Sequence, residues 1–329
     1  MKPLYEAYSS LGEMIRGSAI QWGEKSAVIF QGQHTPYAAL EQMSNQFANA
    51  LTKSGIGPGD HVALYCINSP WFVAAYFGIV KTGAAVVPIN LLLNPKEVQY
   101  ILTDSQASGV VYFDAFEPNL AAIKDSMSAL KELIAIGKPQ SLEARPLADV
   151  AASELPTFEI PPIDQKEDTA AVIYTSGTTG HPKGAMLTHR NLLHNVYSVV
   201  RALPIEHDDV FVAVLPMFHS FGATACMMTP RSVGATVAAV PRFSPDEVGD
   251  TIAGTKATVF AGVPSMYTVF ANVRDDRKPD FPSLRFCISG GAALPDEILK
   301  RFEEKYSIPI LEGDGPTECS PVTSVNPYY

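Results

Sequence analysis

The chain has 329 residues, of which 47% are hydrophobic and 18% charged, and its formal net charge is −10. This length suits roughly two domains or one large α/β unit, and the composition is that of a globular protein, not of a disordered or collagen-like one. The acidic balance argues against nucleic acid as a partner and gives no general attraction to anionic membrane surfaces. Any phosphate-binding site must therefore be local.

The amino-terminal residues lack the apolar core of a secretion signal, so the expected location is cytoplasmic. The best candidate for a membrane span runs from residue 70 to residue 89, but Lys81, Gly83 and Pro88 interrupt it. A buried helix followed by a strand explains this segment better, and we predict no membrane span.

Hydrophobic periodicity predicts that helices and strands alternate along the first part of the chain. In chain order we predict helix 11–22, strand 27–30, helix 35–51, strand 62–65, helix 69–82, strand 85–87, helix 96–102 and strand 109–112. Parallel neighbours need long crossover connections, so this alternation favours parallel strands covered by helices.

A proline-rich polar stretch over residues 137–168 predicts a domain boundary. We expect an N-terminal α/β subdomain over 1–165, including this connection, and a second α/β subdomain over 166–329. In the second subdomain, strands are predicted near 210–214, 236–240, 258–261, 285–289 and 308–311.

Residues 174–184 read Tyr-Thr-Ser-Gly-Thr-Thr-Gly-His-Pro-Lys-Gly. They follow an apolar run typical of a strand and precede a helix that Thr188 can cap. Glycines allow close backbone approach, hydroxyl groups can surround phosphate oxygens, and Lys183 supplies the opposite charge. The stretch therefore predicts a phosphate-binding loop.

Three other interpretations compete with a phosphate-binding loop of this kind. A Walker loop fails because Pro182 stands where its second glycine belongs and Gly184 where its metal-binding hydroxyl belongs. A dinucleotide fingerprint fails because the glycine spacings are three and four. A flexible surface turn would be the better interpretation for a generic cluster of these residue types.

The order of the eleven residues closely resembles the phosphate-binding signature of the adenylate-forming (AMP-binding) superfamily, which includes acyl-CoA synthetases, firefly-type luciferases and amino-acid-adenylating domains. The resemblance implies two packed parallel-sheet α/β subdomains and a reaction in which a carboxylate attacks the α-phosphorus of ATP. It also implies nucleotide contacts, with Thr175 and Lys183 catalytic and Thr175 near the metal. The implied contacts are Thr175, Ser176, Gly177, Thr178, Thr179, Gly180 and Lys183.

Two later segments, 215–222 and 262–267, resemble family segments that line the acyl pocket. They assign Phe218, His219, Gly222, Val263 and Ser265 to that pocket. A lone histidine among apolar residues is more often a satisfied core residue, so the assignment of His219 depends on the resemblance. Amino-acid-adenylating domains carry an aspartate at the position of Gly222, so an uncharged acyl chain is predicted as substrate.

Segments 289–294 and 312–318 resemble family segments that bind the nucleotide. Thr317 corresponds to the threonine that touches the α-phosphate, and Glu318 to the glutamate that helps to hold Mg²⁺. Asp314 replaces the tyrosine that stacks on adenine in most relatives, an interaction worth on the order of 1–3 kcal/mol. The implied nucleotide contacts here are Gly290, Gly291, Ala292, Gly313, Asp314, Gly315, Pro316 and Thr317.

Three family elements do not follow Glu318: the Arg-Thr-Gly-Asp stretch, the hinge and the small C-terminal domain with its catalytic lysine. We therefore expect an N-terminal fragment of a fatty-acid or other acyl-CoA ligase, itself inactive, whose full-length form uses ATP, Mg²⁺ and coenzyme A. An aryl-acid or luciferase-like enzyme and a non-catalytic nucleotide-binding module are the alternatives.

Overall fold

A computed structural model of the protein describes residues 2–176 and 180–328. It confirms the predicted α/β class, because helices alternate with strands and most strand pairs are parallel. The strands are β1 (Ser26–Phe30), β2 (Gln33–Pro36), β3 (His61–Tyr65), β4 (Ala85–Pro88), β5 (Ala107–Phe113), β6 (Glu132–Ile136), β7 (Arg145–Pro146), β8 (Thr169–Thr175), β9 (Lys183–Thr188), β10 (Val210–Ala213), β11 (Thr236–Ala239), β12 (Val259–Gly262), β13 (Phe286–Ser289), β14 (Ile310–Asp314) and β15 (Ser324–Val325).

The helices cover the connections between these strands, and a π-helical segment at Gly222–Met228 leads directly into one of them. The α-helices are α1 (Leu4–Ala7), α2 (Leu11–Trp22), α3 (Tyr37–Lys53), α4 (Pro70–Lys81), α5 (Pro95–Asp104), α6 (Glu117–Ala121), α7 (Leu147–Ser153), α8 (His189–Ala202), α9 (Thr229–Val233), α10 (Pro245–Thr255), α11 (Pro264–Asn272) and α12 (Asp296–Tyr306).

The chain divides into two compact units. The first unit comprises the residues up to Gly23 and Ala38–His194, and its sheet has the order β7-β6-β5-β3-β4-β8-β9. All neighbours in this sheet are parallel except β8 and β9, which form an antiparallel hairpin at one edge.

The second unit comprises Glu24–Tyr37 and the chain from Asn195 onward. Its sheet has the order β15-β14-β13-β12-β10-β11-β1-β2, with antiparallel pairs at both edges and parallel pairs between them. The early strands β1 and β2 therefore belong to the sheet built mainly from the end of the chain.

This division differs from the predicted boundary between residues 165 and 166. The predicted boundary assigned residues 174–184 to the later subdomain. In the structure β8 pairs with β4 through Val86 and Ala171, so the hairpin that carries this loop belongs to the first unit. The prolines of residues 137–168 indicate a connection, and this connection lies within the first unit. The sheet that the following strand joins is shown only by strand pairing.

The apolar stretch from residue 70 forms helix α4 and strand β4, and both are buried in the first unit. Lys81 at the end of α4 is fully buried, and its Nζ pairs with Glu41 Oε2 at 2.6 Å. Burial lowers the pKa of Lys81 to about 8, although Glu41 opposes the shift. A buried charge of this kind needs its partner. Within the described residues, no helix is both long and apolar enough to cross a membrane.

Glu117 ties the segment after β6 to the first unit. Its carboxylate accepts hydrogen bonds from the backbone N–H groups of Gln140, Ser141 and Leu142, and only 3% of the residue is exposed. Burial alone would raise the pKa of Glu117, but these hydrogen bonds lower it to about 2 from an ordinary value of 4.5. The charged form is therefore the one that stabilises the fold.

Replacing Glu117 with glutamine should lower the free energy of unfolding by about 2–3 kcal/mol at pH 7, because charge-assisted bonds are lost and an amide group meets backbone donors. The native pKa lies below the unfolded one, so the difference should be constant above about pH 5 and shrink as the pH falls towards 2. Urea denaturation at several pH values measures it. The exposed Glu167→Gln is the control, and equal effects of both changes would contradict the prediction.

Candidate functional site

The predicted phosphate loop joins β8 to β9 in the first unit. The two strands pair up to the last residue before the loop on each side, where Thr175 lies opposite Lys183 and Tyr174 lies opposite Gly184. Lys183 is exposed. The structure thus brings the two residues predicted to be catalytic in this unit to the base of one loop.

The structure explains why glycine occupies two positions in and beside this loop. Gly180 has a φ of +94°, a conformation that other residues rarely adopt. A Cβ atom on Gly184 would lie 2.6 Å from Val172 Cγ1, so the hairpin is too tight there for a side chain. Ser176 is exposed, while Gly177, Thr178 and Thr179 lie outside the described residues.

The prediction of a helix capped by Thr188 is confirmed. Thr188 Oγ1 accepts a hydrogen bond from Asn191 N at 3.2 Å, and Asn191 Oδ1 accepts one from Thr188 N at 3.0 Å. The sequence interpretation missed β9, which lies between the loop and this helix. Residues 183–188 mix exposed and buried positions and show no clear apolar periodicity. Only their pairing with β8 in the folded structure identifies them as a strand.

In the second unit, Thr317 lies beside the segment that contains His219. Thr317 is buried, and its hydroxyl lies 2.9 Å from the hydroxyl of Ser220. A Cβ atom on Gly315 would lie 1.5 Å from the carbonyl oxygen of Pro321, which explains glycine at that position. Ser220 was not predicted as a site residue, because a lone serine gives no sequence signal.

An apolar pocket opens beside this pair of hydroxyls. The space between its walls amounts to about 550 Å³ when the open solvent at its mouth is counted, and the enclosed cavity to about 50 Å³. A Cβ atom on Gly290 would lie 3.1 Å from the Phe221 ring and 3.1 Å from the carbonyl oxygen of Gly313, so glycine keeps the pocket open. The wall consists of Val199, Leu203, His219, Ser220, Phe221, Ala225, Ile288, Gly290, Gly291, Gly313, Asp314, Gly315, Pro321, Val322 and Val325.

The surroundings of His219 favour the neutral form of its ring. Its Nδ1 accepts a hydrogen bond from the backbone N–H of Phe221 at 3.3 Å, which places the proton of the neutral ring on Nε2. Although the residue is partly exposed, desolvation by its surroundings lowers its pKa below the ordinary value. A neutral imidazole is compatible with an apolar ligand.

Other residues predicted for the acyl pocket do not line this one. Gly222 is buried in the π-helical segment, and a Cβ atom there would lie 2.2 Å from the carbonyl oxygen of Pro216. Phe218 is half-buried, and Ser265 is exposed in the first turn of α11. Val263 lies nearby, with its Cγ1 3.6 Å from where a Cβ atom on Gly291 would be.

Three of the residues predicted to bind the nucleotide in this unit border a second, more open pocket, whereas Gly290, Gly291 and Gly315 line the apolar one. The wall of the more open pocket includes Ala292, Gly313 and Asp314. Glu312 also lines it, and the carboxylate of Glu312 accepts a hydrogen bond from Leu294 N at 2.8 Å. Asp314 borders both pockets and is exposed, as is Pro316. The carboxylate of Asp314 therefore remains hydrated where an aromatic ring was expected.

Glu318 follows Thr317 directly and is exposed. An exposed carboxylate suits Mg²⁺, which prefers one or two carboxylates together with phosphate oxygens and water. Across residues 2–176 and 180–328 no three His, Cys, Asp or Glu side chains converge as a metal site.

Comparison with known proteins gives concordant results. Residues 15–329 match the family of AMP-binding enzymes. A long-chain-fatty-acid-CoA ligase of Bacillus subtilis (strain 168) is 30% identical over 96% of this chain and 61% of its own length. A long-chain-fatty-acid-CoA ligase of Escherichia coli O157:H7 is also 30% identical, over 98% of this chain and 63% of its own.

Among solved structures, the anthranilate CoA ligase AuaEII in complex with anthranoyl-AMP superposes with a TM-score of 0.93 at 28% identity. That match covers 97% of this chain and 62% of the ligase. The chain therefore spans less than two thirds of the length of each of these three ligases.

Proposed function

Because this chain belongs to the adenylate-forming family of AMP-binding enzymes, we propose that it forms the nucleotide- and acid-binding part of a CoA ligase for a medium- or long-chain fatty acid. In the proposed first step, a carboxylate oxygen of the acid attacks the α-phosphorus of ATP, and pyrophosphate leaves. In the second step, the thiol of coenzyme A attacks the acyl carbonyl, and AMP leaves.

The observation that carries this proposal is the position of the apolar pocket. Ser220 belongs to the pocket wall, and its hydroxyl lies 2.9 Å from that of Thr317. An acid whose alkyl chain fills the pocket would place its carboxylate near these hydroxyls. Burial of each methylene group contributes about 0.8 kcal/mol, so an apolar wall favours an alkyl chain.

The family's cofactors suit the side chains of each unit. Thr175 and Lys183 at the base of the loop supply a hydroxyl and a positive charge for ATP phosphates, and Glu318 supplies a carboxylate for Mg²⁺. We place the enzyme in the cytoplasm, with small molecules as its partners. We also propose that the 329-residue chain by itself binds the adenylate but forms thioester at a negligible rate; the Bacillus subtilis ligase, which it matches over 61% of that ligase's length, is a longer protein.

An aryl acid is the second candidate substrate. The anthranilate CoA ligase has a TM-score of 0.93 with this chain. In addition, the Phe221 ring lies close to the backbone at Gly290, which suits a flat ligand. A non-catalytic nucleotide-binding module is the alternative from a different class.

We expect the chain to bind non-hydrolysable acyl-adenylate analogues according to the acyl group. The sharpest pair is 4-methylpentanoyl and leucyl, which differ only in the α-ammonium group. Burying that charge should weaken binding at least about 30-fold, because an uncompensated buried charge costs several kcal/mol. Isothermal titration calorimetry of residues 1–329 measures both.

The same titration distinguishes the candidates. A dodecanoyl analogue that binds more tightly than an anthraniloyl analogue supports the fatty acid, and the reverse order supports the aryl acid. Preferred binding of the leucyl analogue would overturn the proposal. Tight analogue binding without pyrophosphate release in any longer natural form of the protein would support the non-catalytic module.

A further inference from the structure

Helix α5 contacts the hairpin that carries the predicted phosphate loop, both where the chain enters the loop and where it leaves it. The ring of Tyr100 stacks on the ring of His181, with centroids 5.6 Å apart and planes inclined by 22°. The Tyr100 hydroxyl donates a hydrogen bond to the carbonyl oxygen of Pro182 at 3.1 Å. Both contacts lie on the segment through which the chain leaves the loop.

The segment through which the chain enters the loop also contacts helix α5. The hydroxyl of Tyr174 donates a hydrogen bond to Asp104 Oδ2 at 2.6 Å. Burial and the Asp104 carboxylate raise the pKa of Tyr174 above its ordinary value, so the hydroxyl remains a donor. The rings of Tyr100 and Tyr174 also meet edge to face at 6.5 Å.

The helix that makes these contacts is itself firmly placed. At its start, Asn94 Oδ1 accepts from the backbone of Glu97 at 3.2 Å, and Glu97 Oε2 accepts from Asn94 N at 2.8 Å. This capping box fixes the first turn. Val98, Ile101 and Leu102 anchor the inner face of the helix in the core of the first unit.

The hairpin needs support of this kind. The ladder between β8 and β9 ends at the pair Thr175 and Lys183, so His181 and Pro182 lie beyond it. In addition, β9 is the edge strand of the sheet. Tyr100 therefore supports the part of the loop that the ladder does not hold.

We propose that Tyr100 and Tyr174 are positioning residues that fix the two ends of the predicted phosphate loop, at Tyr174 where the chain enters it and at His181 and Pro182 where the chain leaves it. The inference rests on the proposed binding of ATP by this loop. Neither residue is assigned to touch the nucleotide, and both act through the loop backbone. A loop that is ordered before binding loses less conformational freedom when ATP binds.

The test compares variants of the 329-residue chain. Tyr174→Phe keeps the ring and removes the hydroxyl that donates to Asp104. Tyr112→Phe is its matched control, since Tyr112 donates to the carboxylate of Glu117 elsewhere in the same unit. Tyr100→Phe keeps the stacked ring, and Tyr100→Leu removes it. Calorimetry measures the Kd for ATP, and hydrogen exchange measures protection of residues 174–184.

We expect the Kd for ATP to rise about 3-fold in Tyr174→Phe and Tyr100→Phe and about 10-fold in Tyr100→Leu, with faster exchange at 174–184. Tyr112→Phe should change neither. In pyrophosphate-release assays of a longer natural form of the protein that carries the same substitutions, the KM for ATP should rise while the KM for the acid stays constant, which a general loss of stability would not produce.

If the variants match Tyr112→Phe in both ATP affinity and exchange, the positioning role is wrong. If the unaltered chain binds no ATP, the proposed function fails instead. Hydrogen exchange of the free chain still decides whether Tyr100 and Tyr174 order the loop, so the two failures are distinguishable.

Discussion

In a longer, active form of the protein, replacing Lys183 with alanine is expected to lower acid-dependent pyrophosphate release by about 100-fold or more. Removing one preorganised charge at a site of phosphoryl transfer commonly costs about 3 kcal/mol of transition-state stabilisation. Because Lys183 is exposed at the start of β9, the fold should not depend on its side chain. The same change should weaken ATP binding to the 329-residue chain, measured by calorimetry, without shifting the melting temperature.

The control for this experiment is Lys166→Ala, which removes another exposed lysine of the first unit. It should leave both ATP binding and pyrophosphate release unchanged. If Lys183→Ala behaves in the same way, the stretch 174–184 is a surface turn, and the interpretation of Lys183 as the phosphate partner is wrong.

Replacing Gly222 with alanine is expected to destabilise the protein by about 3 kcal/mol or more. The new Cβ atom would lie 2.2 Å from the carbonyl oxygen and 2.7 Å from the carbonyl carbon of Pro216, and neither backbone atom can move aside cheaply. Overpacking in a buried segment lowers the free energy of unfolding by roughly 1–3 kcal/mol, and overlap with backbone atoms gives values at the upper end of this range. Thermal and urea denaturation followed by circular dichroism measure the loss.

Gly254→Ala is the matched control, because it places the same methyl group in helix α10 of the same unit, where no atom lies within 4 Å. It should be neutral or stabilising by up to about 1 kcal/mol, as expected for glycine to alanine in a helix. Equal stability of the two variants would show that the segment around Gly222 can relax.

The short distance between Gly222 and the Pro216 carbonyl also limits what an aspartate at position 222 can test. The sequence predicts an uncharged acyl chain as substrate, and Gly222→Asp is the substitution that tests this prediction by placing a carboxylate beside the proposed alkyl chain. The Pro216 carbonyl lies where the side chain would begin, so the first effect of this substitution should be on folding. A loss of activity in Gly222→Asp therefore reports on substrate choice only if the folded state persists.

Local sequence patterns determined the secondary structure that surrounds the loop. The apolar run before Tyr174 and the cap at Thr188 depend on residues close together in the chain, and both are present in the structure. The same holds for α4, because twelve largely apolar residues preceded by the capping residue Ser69 specify a buried helix whatever packs on it.

Tertiary structure decided what depends on residues distant in the chain. The hairpin of Thr175 and Lys183 joins the first unit because β8 pairs with β4, and this pairing is a choice among several similar apolar strands. Likewise, the contact between Ser220 and Thr317 joins residues 97 positions apart, and Tyr100 meets Pro182 across 82 positions.

The sequence by itself determined the α/β alternation, the loop and the motif residues, since periodicity and short motifs are properties of neighbouring positions. The pocket was decided only by folding. Its wall includes Val199, Leu203 and Ile288, ordinary apolar residues that no motif distinguishes from the core. An apolar side chain becomes part of a binding site through the space left beside it, and that space exists only after distant segments have packed.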